Sequence, residues 1–170
     1  MFKKIKRDIN VNANITSVIV LCIYRFGNYV YCKFTFPIIK HFLLACYKML
    51  DLLIIKFICN AEIPAKCEIQ EGLSLGHGAN GLIIHPGAKI GRNVVIYHQV
   101  TIGINPGELG KSTKAPVIGD NVFIGAGAKI IGDVSVGNNS IIGANTVIVR
   151  DIPPNSTVVG SPARIIEKIK

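Results

Sequence analysis

Two histidines hold equivalent places in the sequence and are of the residue type that moves protons. His77 lies in the stretch LGHGANG, two residues after Leu75, and His98 lies in IYHQV, two residues after Ile96. Imidazole has an ordinary pKa of about 6.5, so it can take up a proton as a base and return it as an acid near neutral pH. The pair therefore indicates general acid–base chemistry, provided that the fold brings the two side chains together.

The elements around these histidines follow a period of six residues. A helix would repeat every 3.6 residues and a simple strand every two. One inward aliphatic residue in each hexad, often followed by glycine, instead predicts short strands joined by tight corners, which is a parallel β-helix. The aliphatic residues in this register are Ile63, Ile69, Leu75, Ile84, Ile90, Ile96, Ile102, Ile118, Ile124, Ile130, Val136, Ile142 and Ile148.

The register slips at two points. Nine residues separate Leu75 from Ile84, so the hexad with His77 carries three extra residues and should bulge outward. Sixteen residues separate Ile102 from Ile118, and the insert is polar and rich in glycine and proline. We expect residues 104–116 to form an exposed loop, the kind of segment that often carries binding groups on a rigid scaffold.

About two thirds of the chain resembles the hexapeptide-repeat acyltransferases. NSIIGANTVIVRDIPPNSTVVGSPARII is similar to the last coils and C-terminal cap of that family. LGHGANGLIIHPGAKIGRNVVIYHQVTIG resembles the serine acetyltransferases, and more closely the O-acetyltransferases of polysaccharide assembly, such as the colanic-acid enzyme. The resemblance implies a mainly β chain, a left-handed parallel β-helix with three hexads per coil, preceded by an N-terminal α-helical segment.

We expect two domains with a boundary near Asn60. Residues 1–60 would be a helical, basic and apolar segment, and residues 61–170 the β-helix, with a cap over 153–170. Residues 1–60 hold nine Lys and Arg against two Asp, a charge of +7, whereas residues 61–170 contain sixteen of the seventeen glycines.

Three hexads per coil place the two histidines in one column. With the bulge discounted, His77 and His98 are one coil apart, so their backbones should lie roughly 4.8 Å apart on the same outer face. The same count puts Ala126 above His98 and Ala144 above Ala126. These small residues would leave a groove that runs up from the histidines.

The resemblance implies acetyl transfer from a thioester to an alcohol, with His77 as the catalytic histidine. The reaction needs a base for the hydroxyl proton and an acid for the departing thiolate, and imidazole can be both. Two roles are left open for His98: it is either an essential catalytic group or a residue that only lines the site. His85 is expected to be a structural corner residue, and backbone N–H groups could hold the oxyanion.

Three positions depart from the serine acetyltransferases. That family has Asp directly before its histidine, where it orients the imidazole, but this chain has Gly76. The family's Arg-His pair, associated with serine binding, aligns with Lys114 and Ala115. These differences favour an acceptor other than serine, and leave Glu71 or Glu108 as alternatives for orienting His77.

The donor implied by the resemblance is acetyl-CoA. In this family coenzyme A lies in a groove between subunits, against small residues of the late coils and basic residues of the cap. The matching positions are Ala126, Ala144, Arg150 and Arg164. The planar arginine fork suits phosphate oxygens.

We therefore expect an acetyl-CoA-dependent O-acetyltransferase that acts on a carbohydrate hydroxyl in surface or capsular polysaccharide biosynthesis. The alternative is serine O-acetylation, which belongs to cysteine biosynthesis. A zinc lyase of the same fold and a non-catalytic scaffold are weaker alternatives, and we expect no metal requirement. The expected partners are acetyl-CoA, a sugar or glycan acceptor and two further copies in a homotrimer, with no nucleic acid.

The first sixty residues predict two helices, over 14–33 and 37–58. The second is apolar nearly all round and needs cover from its neighbour, from other subunits in a higher oligomer or from lipid. With its positive charge, the segment is expected to hold a cytoplasmic enzyme peripherally at the inner face of the membrane. Five cysteines without disulfide-type spacing indicate a reducing compartment.

Overall fold

The computed structural model describes residues 1–105 and 114–166. The chain begins with helices. The helices are α1 (Phe2–Val11), α2 (Ile15–Lys33) and α3 (Pro37–Leu50), and α3 continues as a π-helical segment, Asp51–Ile58. The second and third agree with the expected helices. The first was not predicted, although Phe2, Ile5 and Ile9 have helical spacing.

Short strands of two or three residues make up the rest of the described chain. In order they are β1 (Glu68–Ile69), β2 (Ser74–Leu75), β3 (Ile83–Ile84), β4 (Lys89–Ile90), β5 (Val95–Ile96), β6 (Thr101–Gly103), β7 (Val117–Ile118), β8 (Phe123–Ile124), β9 (Lys129–Ile131), β10 (Ser135–Val136), β11 (Ile141–Ile142), β12 (Val147–Ile148), β13 (Thr157–Val159) and β14 (Arg164–Ile166).

These strands form three sheets, and from β1 to β13 successive strands along the chain belong to different sheets. The first sheet runs β1-β4-β7-β10, the second β2-β5-β8-β11-β13-β14 and the third β3-β6-β9-β12. Neighbouring strands are parallel except β13 and β14, which are antiparallel at the C-terminal end. The predicted left-handed parallel β-helix is confirmed.

The inward residue of each hexad fills the interior of the β-helix. Ile84, Ile102, Ile130 and Ile148 lie on successive strands of the third sheet, and each is at most 1% exposed. Full burial of such a side chain contributes about 1.5–3 kcal/mol, so repetition of the hexad, rather than strand length, stabilises the fold.

A buried ion pair joins the helices to the first coil. Nε of Arg25 lies 2.7 Å from a carboxylate oxygen of Asp8, and both side chains are 2% exposed. The other carboxylate oxygen of Asp8 accepts the N–H groups of Gly72 and Leu73 at 2.8 and 3.2 Å. Arg25 in turn donates to the carbonyl of Ile69 at 2.6 Å. The ion pair thus supplies hydrogen-bond partners to backbone groups at the open end of the β-helix.

Two further side chains connect the helices to β2. The N–H of Leu75 donates to Oδ1 of Asn12, and Oγ of Ser17 donates to the carbonyl of Leu75, both at 2.8 Å. The helices and coils also share one hydrophobic core. The expected boundary between two domains near Asn60 stays a prediction.

Helix α2 has the length and apolar composition that a membrane crossing requires, and 44% of it is buried inside the protein. Its buried residues include Ser17 and Arg25, which bond to the first coil. These contacts are those of a structural helix in the protein core.

Candidate active site

The bulge predicted around His77 is a tight left-handed turn. Residues Gly76–Ala79 form a short 3-10 turn, in which His77 has φ 58° and ψ 36°, Gly78 has φ 75° and Ala79 has φ 66°. The three extra residues of this hexad are taken up by the turn before the chain re-enters the register at β3. The side chain of His77 is exposed as a result.

Close contacts on two sides hold this turn in place. A Cβ on Gly78 would lie 3.2 Å from the Thr16 side chain at the start of α2. A Cβ on Gly76 would lie 3.0 Å from Cγ of Tyr97 in the next coil. Both glycines allow a close approach that a larger residue would prevent.

The structure brings the two predicted histidines together. Leu75 pairs with Ile96, so the corners after β2 and β5 are neighbours, one coil apart. The ring centroids of His77 and His98 are 4.9 Å apart, with an interplanar angle of 89°. Nδ1 of His98 is buried and has no hydrogen-bond partner among the described residues. The catalytic roles of both remain predictions.

Glu71, one of the two acidic residues considered for orienting His77, does not lie beside it. Glu71 lies at the opposite end of β2 and lines a small groove with Lys3, Lys6 and Arg7 of α1. Glu108 lies outside the described residues. Within the described chain, the imidazole of His77 is held by ring contacts with His98 and Tyr97 rather than by a hydrogen bond.

The predicted column of small residues continues above the histidines. The N–H of Gly127 donates to the carbonyl of His98, and the N–H of Asn145 donates to the carbonyl of Ala126. Ala126 and Ala144 therefore occupy the next two corners, where Ala126 is half-buried and Ala144 is exposed. The groove predicted along this corner of the β-helix would have the small side chains of Ala126 and Ala144 as its floor.

The two predicted arginines line one groove at the C-terminal end. Arg150 and Arg164, with Val147, Val149 and the turn 161–163, surround an open volume of about 620 Å³. Nη2 of Arg150 donates to the carbonyl of Ala163 at 3.1 Å. Each guanidinium has five N–H donors, so most remain available for an anionic ligand.

A larger cavity, of about 720 Å³, lies between α3 and the first coil. Tyr47, Lys48 and Pro64 are among its lining residues, and none of the predicted site residues is. Size alone would select this cavity, but the grouping of His77, His98 and the alanine column argues for the corner groove instead.

The remaining positions singled out in the sequence lie elsewhere on the surface and in the corners. Nζ of Lys114 is 3.3 Å from the carboxylate of Asp133, and both side chains are exposed. Ala115 is buried. His85 closes its own corner, because its Nδ1 accepts the N–H of Gly87 at 3.1 Å. No group of three or more His, Cys, Asp or Glu with metal-binding geometry occurs among the described residues.

Tyr97 is a site residue that the sequence reasoning missed. The corner residues directly after the inward aliphatic residues of β2, β5, β8 and β11 are Gly76, Tyr97, Gly125 and Gly143. A tyrosine among three glycines is the signal that would have identified it. Its ring lies 5.7 Å from that of His77, at an interplanar angle of 68°.

Comparison with known proteins shows which proteins the chain resembles. Residues 115–150 match the family described as bacterial transferase hexapeptide (six repeats). The serine acetyltransferases of Buchnera aphidicola and Helicobacter pylori are 40% and 42% identical to the chain over 116 and 113 residues. Those matches cover 68% and 66% of this chain, but the chain spans only 44% and 64% of these relatives.

A solved structure agrees with the sequence relatives. The serine acetyltransferase of Neisseria gonorrhoeae in complex with serine superposes with a TM-score of 0.78 at 27% identity, covering 98% of this chain and 69% of that one. The predicted resemblance to the hexapeptide-repeat acetyltransferases is therefore confirmed, and the similar proteins carry the name serine acetyltransferase.

The predicted preference for a carbohydrate acceptor and polysaccharide biosynthesis is wrong, because relatives at about 40% identity are serine acetyltransferases. That preference rested on a closer resemblance to the polysaccharide O-acetyltransferases and on Gly76, Lys114 and Ala115. The structure gives a local reason for Gly76, since the ring of Tyr97 fills the space that a side chain there would need. Gly76 can therefore be explained by packing around His77 without reference to the acceptor. These relatives also give no support to membrane association.

Proposed function

We propose that this chain is an acetyl-CoA-dependent O-acetyltransferase whose acceptor is the hydroxyl group of serine. The observation that carries the proposal is the 40–42% identity to serine acetyltransferases, which extends over the coils that hold His77 and His98. The site supports it, because two imidazoles are in contact at one end of a column of small residues, and two arginines line an open groove at the C-terminal end.

His77 is the general base in this proposal. Its imidazole takes the proton from the acceptor hydroxyl as the oxygen attacks the thioester carbonyl and forms a tetrahedral oxyanion. When the intermediate collapses, the C–S bond breaks and the imidazolium returns the proton to the departing thiolate. The same imidazole first accepts the proton and then donates it, so the enzyme is unchanged after the acyl transfer.

The exposure of His77 suits this role, and its neighbour supports it. An outward-facing imidazole can reach a bound alcohol, which a core histidine cannot. His98, in edge-to-face contact at 4.9 Å between centroids, forms the wall against which the first ring rests. We place His98 in the site as a group that packs against the base and contacts the acceptor.

The donor occupies the groove above the histidines. Ala126 and Ala144 leave room for the extended pantetheine arm, and the thioester then lies beside His77. Arg150 and Arg164 bind the phosphates at the far end, where Arg150 follows β12, three rungs from the coil of His77, or roughly 14 Å at the spacing of neighbouring strands. Charge-assisted hydrogen bonds to phosphate are among the stronger polar contacts in proteins.

The assembly and compartment form part of the same proposal. A groove along one corner of a β-helix has a single wall in one subunit, and a homotrimer supplies the second wall from a neighbour. All five cysteines are free thiols, which fits a reducing cytoplasm. The bonds of Ser17 and Arg25 to the first coil favour α2 as a packing element over a membrane segment.

The direct test is turnover of acetyl-CoA by the purified full chain, followed as release of free thiol. L-serine should stimulate release at ordinary enzymatic rates, and L-alanine, which lacks only the hydroxyl, should not. A panel of simple sugars serves as the contrasting acceptor set. Thiol release that ignores serine would remove the proposed acceptor.

A further inference from the structure

The space beside Gly76 is already occupied by an aromatic ring from the next coil. A Cβ added to Gly76 would lie 3.0, 3.1 and 3.2 Å from Cγ, Cδ1 and Cδ2 of Tyr97. Such distances are tighter than ordinary van der Waals contact, so any side chain at residue 76 would require the ring of Tyr97 to shift by a few tenths of an ångström. Gly76 and Tyr97 are therefore one packing unit.

The ring of Tyr97 has a fixed support on its other side. Phe123 lies one coil further on, where Val95 pairs with Phe123 in the second sheet. The two ring centroids are 5.3 Å apart with an interplanar angle of 53°. Aromatic pairs in this range attract through their edges and faces, so Phe123 holds Tyr97 against the bulge.

His77 contacts the same ring. The centroids are 5.7 Å apart at 68°, an edge-type contact, and His98 makes the second ring contact at 4.9 Å. Within the described residues these two contacts, and no hydrogen bond, define where the imidazole points. A base that depends on ring packing loses its orientation when a ring is removed.

We propose that Tyr97 is the positioning residue for His77, and that Gly76 is a glycine in order to admit its ring. The chain Phe123–Tyr97–His77 is a row of three rings that fixes the imidazole from the outer face of the second sheet. The kinetic part of this inference rests on the proposed function, and the packing part does not.

The first experiment separates the ring from the hydroxyl. Tyr97→Phe keeps the ring and should leave kcat within about twofold of the parent. Tyr97→Leu removes it and should lower kcat about tenfold, with the KM for acetyl-CoA within twofold. Tyr29→Leu, which removes an exposed tyrosine from α2, is the matched control and should change neither. Equal kcat for Tyr97→Leu and the parent would overturn the proposal, as would a loss in Tyr97→Phe as large as that in Tyr97→Leu.

The pH profile distinguishes positioning from general loosening. If Tyr97 orients the base, the limb of the kcat/KM profile that reports His77 should shift in Tyr97→Leu and return to the parent position in Tyr97→Phe. A merely structural defect lowers the whole profile without moving it. An unmoved limb in Tyr97→Leu would count against the proposal.

A double-mutant cycle tests the packing unit. Gly76→Asp should lower kcat at least tenfold in the parent, because the new side chain collides with the ring. In Tyr97→Ala the same change has room and should be neutral or raise kcat. Equal factors in both backgrounds would show that residues 76 and 97 act independently and would refute the inference.

A measurement without substrate makes the outcome independent of the reaction. The imidazole proton signals of His77, assigned by their loss in His77→Ala, should carry a ring-current shift from Tyr97. That shift should persist in Tyr97→Phe and vanish in Tyr97→Leu. If serine turnover fails while this pattern appears, the packing of Tyr97 on His77 is supported and the proposed serine acceptor is refuted. An unchanged shift in Tyr97→Leu rejects the positioning role.

Discussion

His77 occupies a backbone conformation that an L-residue adopts at a cost. A left-handed residue other than glycine costs about 1–2 kcal/mol, and both His77 and Ala79 have positive φ. The turn is retained because Thr16 and Tyr97 close around it and because the N–H of Gly81 donates to the carbonyl of Cys59. Local strain of this kind is consistent with a site where the direction of one side chain matters.

The proposed base gives the sharpest prediction at the scale of single residues. His77→Ala should lower turnover by about 10²–10⁴, the usual contribution of a general base. Acetyl-CoA binding, measured by calorimetry, should change little because His77 contacts only the reacting end. A near-normal rate in His77→Ala would transfer the role to another group. His98→Ala is the paired variant, and a loss under threefold would make it a wall of the site only.

The two arginines give a prediction about the KM for acetyl-CoA rather than about turnover. Arg150→Ala and Arg164→Ala should raise the KM for acetyl-CoA more than they lower kcat, because distant phosphate contacts bind ground and transition states alike. Lys89→Ala, which removes an exposed basic residue from the first sheet, is the control. Steady-state kinetics with unchanged KM would exclude these arginines from the donor site.

The histidine column was predictable from the sequence, whereas the orientation of its rings was not. A strict period of six fixes which residues share a corner, so the positions of His77, His98, Ala126 and Ala144 follow from counting. The partner of His77 depends on which side chain fills the space beside Gly76. That requires the distance between corners of adjacent coils, which counting along the sequence does not give. Glu71 does not lie beside His77, and Glu108 lies outside the described residues.

At the scale of elements, the first coil depends on charges contributed by the helices. Asp8 and Arg25 are both buried, and together they bond to backbone groups of residues 69–73. Removal of one partner leaves the other charge buried without compensation, which typically costs 3–5 kcal/mol. The helices therefore act as a cap for the β-helix.

Asp8→Ala should accordingly lower the free energy of unfolding by about 3–5 kcal/mol. The matched control is the exposed pair of Lys89 and Glu68, with an N–O distance of 3.8 Å, where Glu68→Ala should cost no more than about 1 kcal/mol. Urea denaturation of the full chain measures both. Similar small losses for the two variants would show that the buried pair does not hold the cap.

Helix α1 shows why this cap escaped sequence analysis. Its residues FKKIKRDINV look like a solvated basic segment, and an aspartate among four basic residues is expected to be exposed. Burial of Asp8 becomes favourable only because Arg25, Gly72 and Leu73 meet it from distant parts of the chain. Periodicity can predict the coils, but it carries no information about such long-range polar partners.

At the scale of the whole molecule, α3 and the π-helical segment leave a broad apolar surface. Phe42, Met49, Leu53 and Phe57 are each more than half exposed. Patches of this kind mark contact surfaces. Together with the one-sided groove, this surface leads us to expect a trimer or a multiple of three.

Light scattering across a dilution series tests that assembly. The mass should correspond to three or six copies of the 18.4 kDa chain, and activity should fall if dilution separates the subunits. Anionic vesicles mixed with the protein form a useful companion sample, because tight vesicle binding would assign the apolar surface to lipid instead. An active monomer would contradict the shared groove.

The central claim is that the corner groove carries acetyl-CoA to a serine hydroxyl beside His77. A single-turnover experiment tests it most directly, with excess enzyme loaded with acetyl-CoA labelled in the acetyl group and then mixed with L-serine. We predict free CoA and O-acetylserine in equal amounts from the parent protein, and at least a hundredfold slower formation of both in His77→Ala. Label that stays on CoA in the presence of serine, or His77→Ala that reacts at the parent rate, would contradict the account.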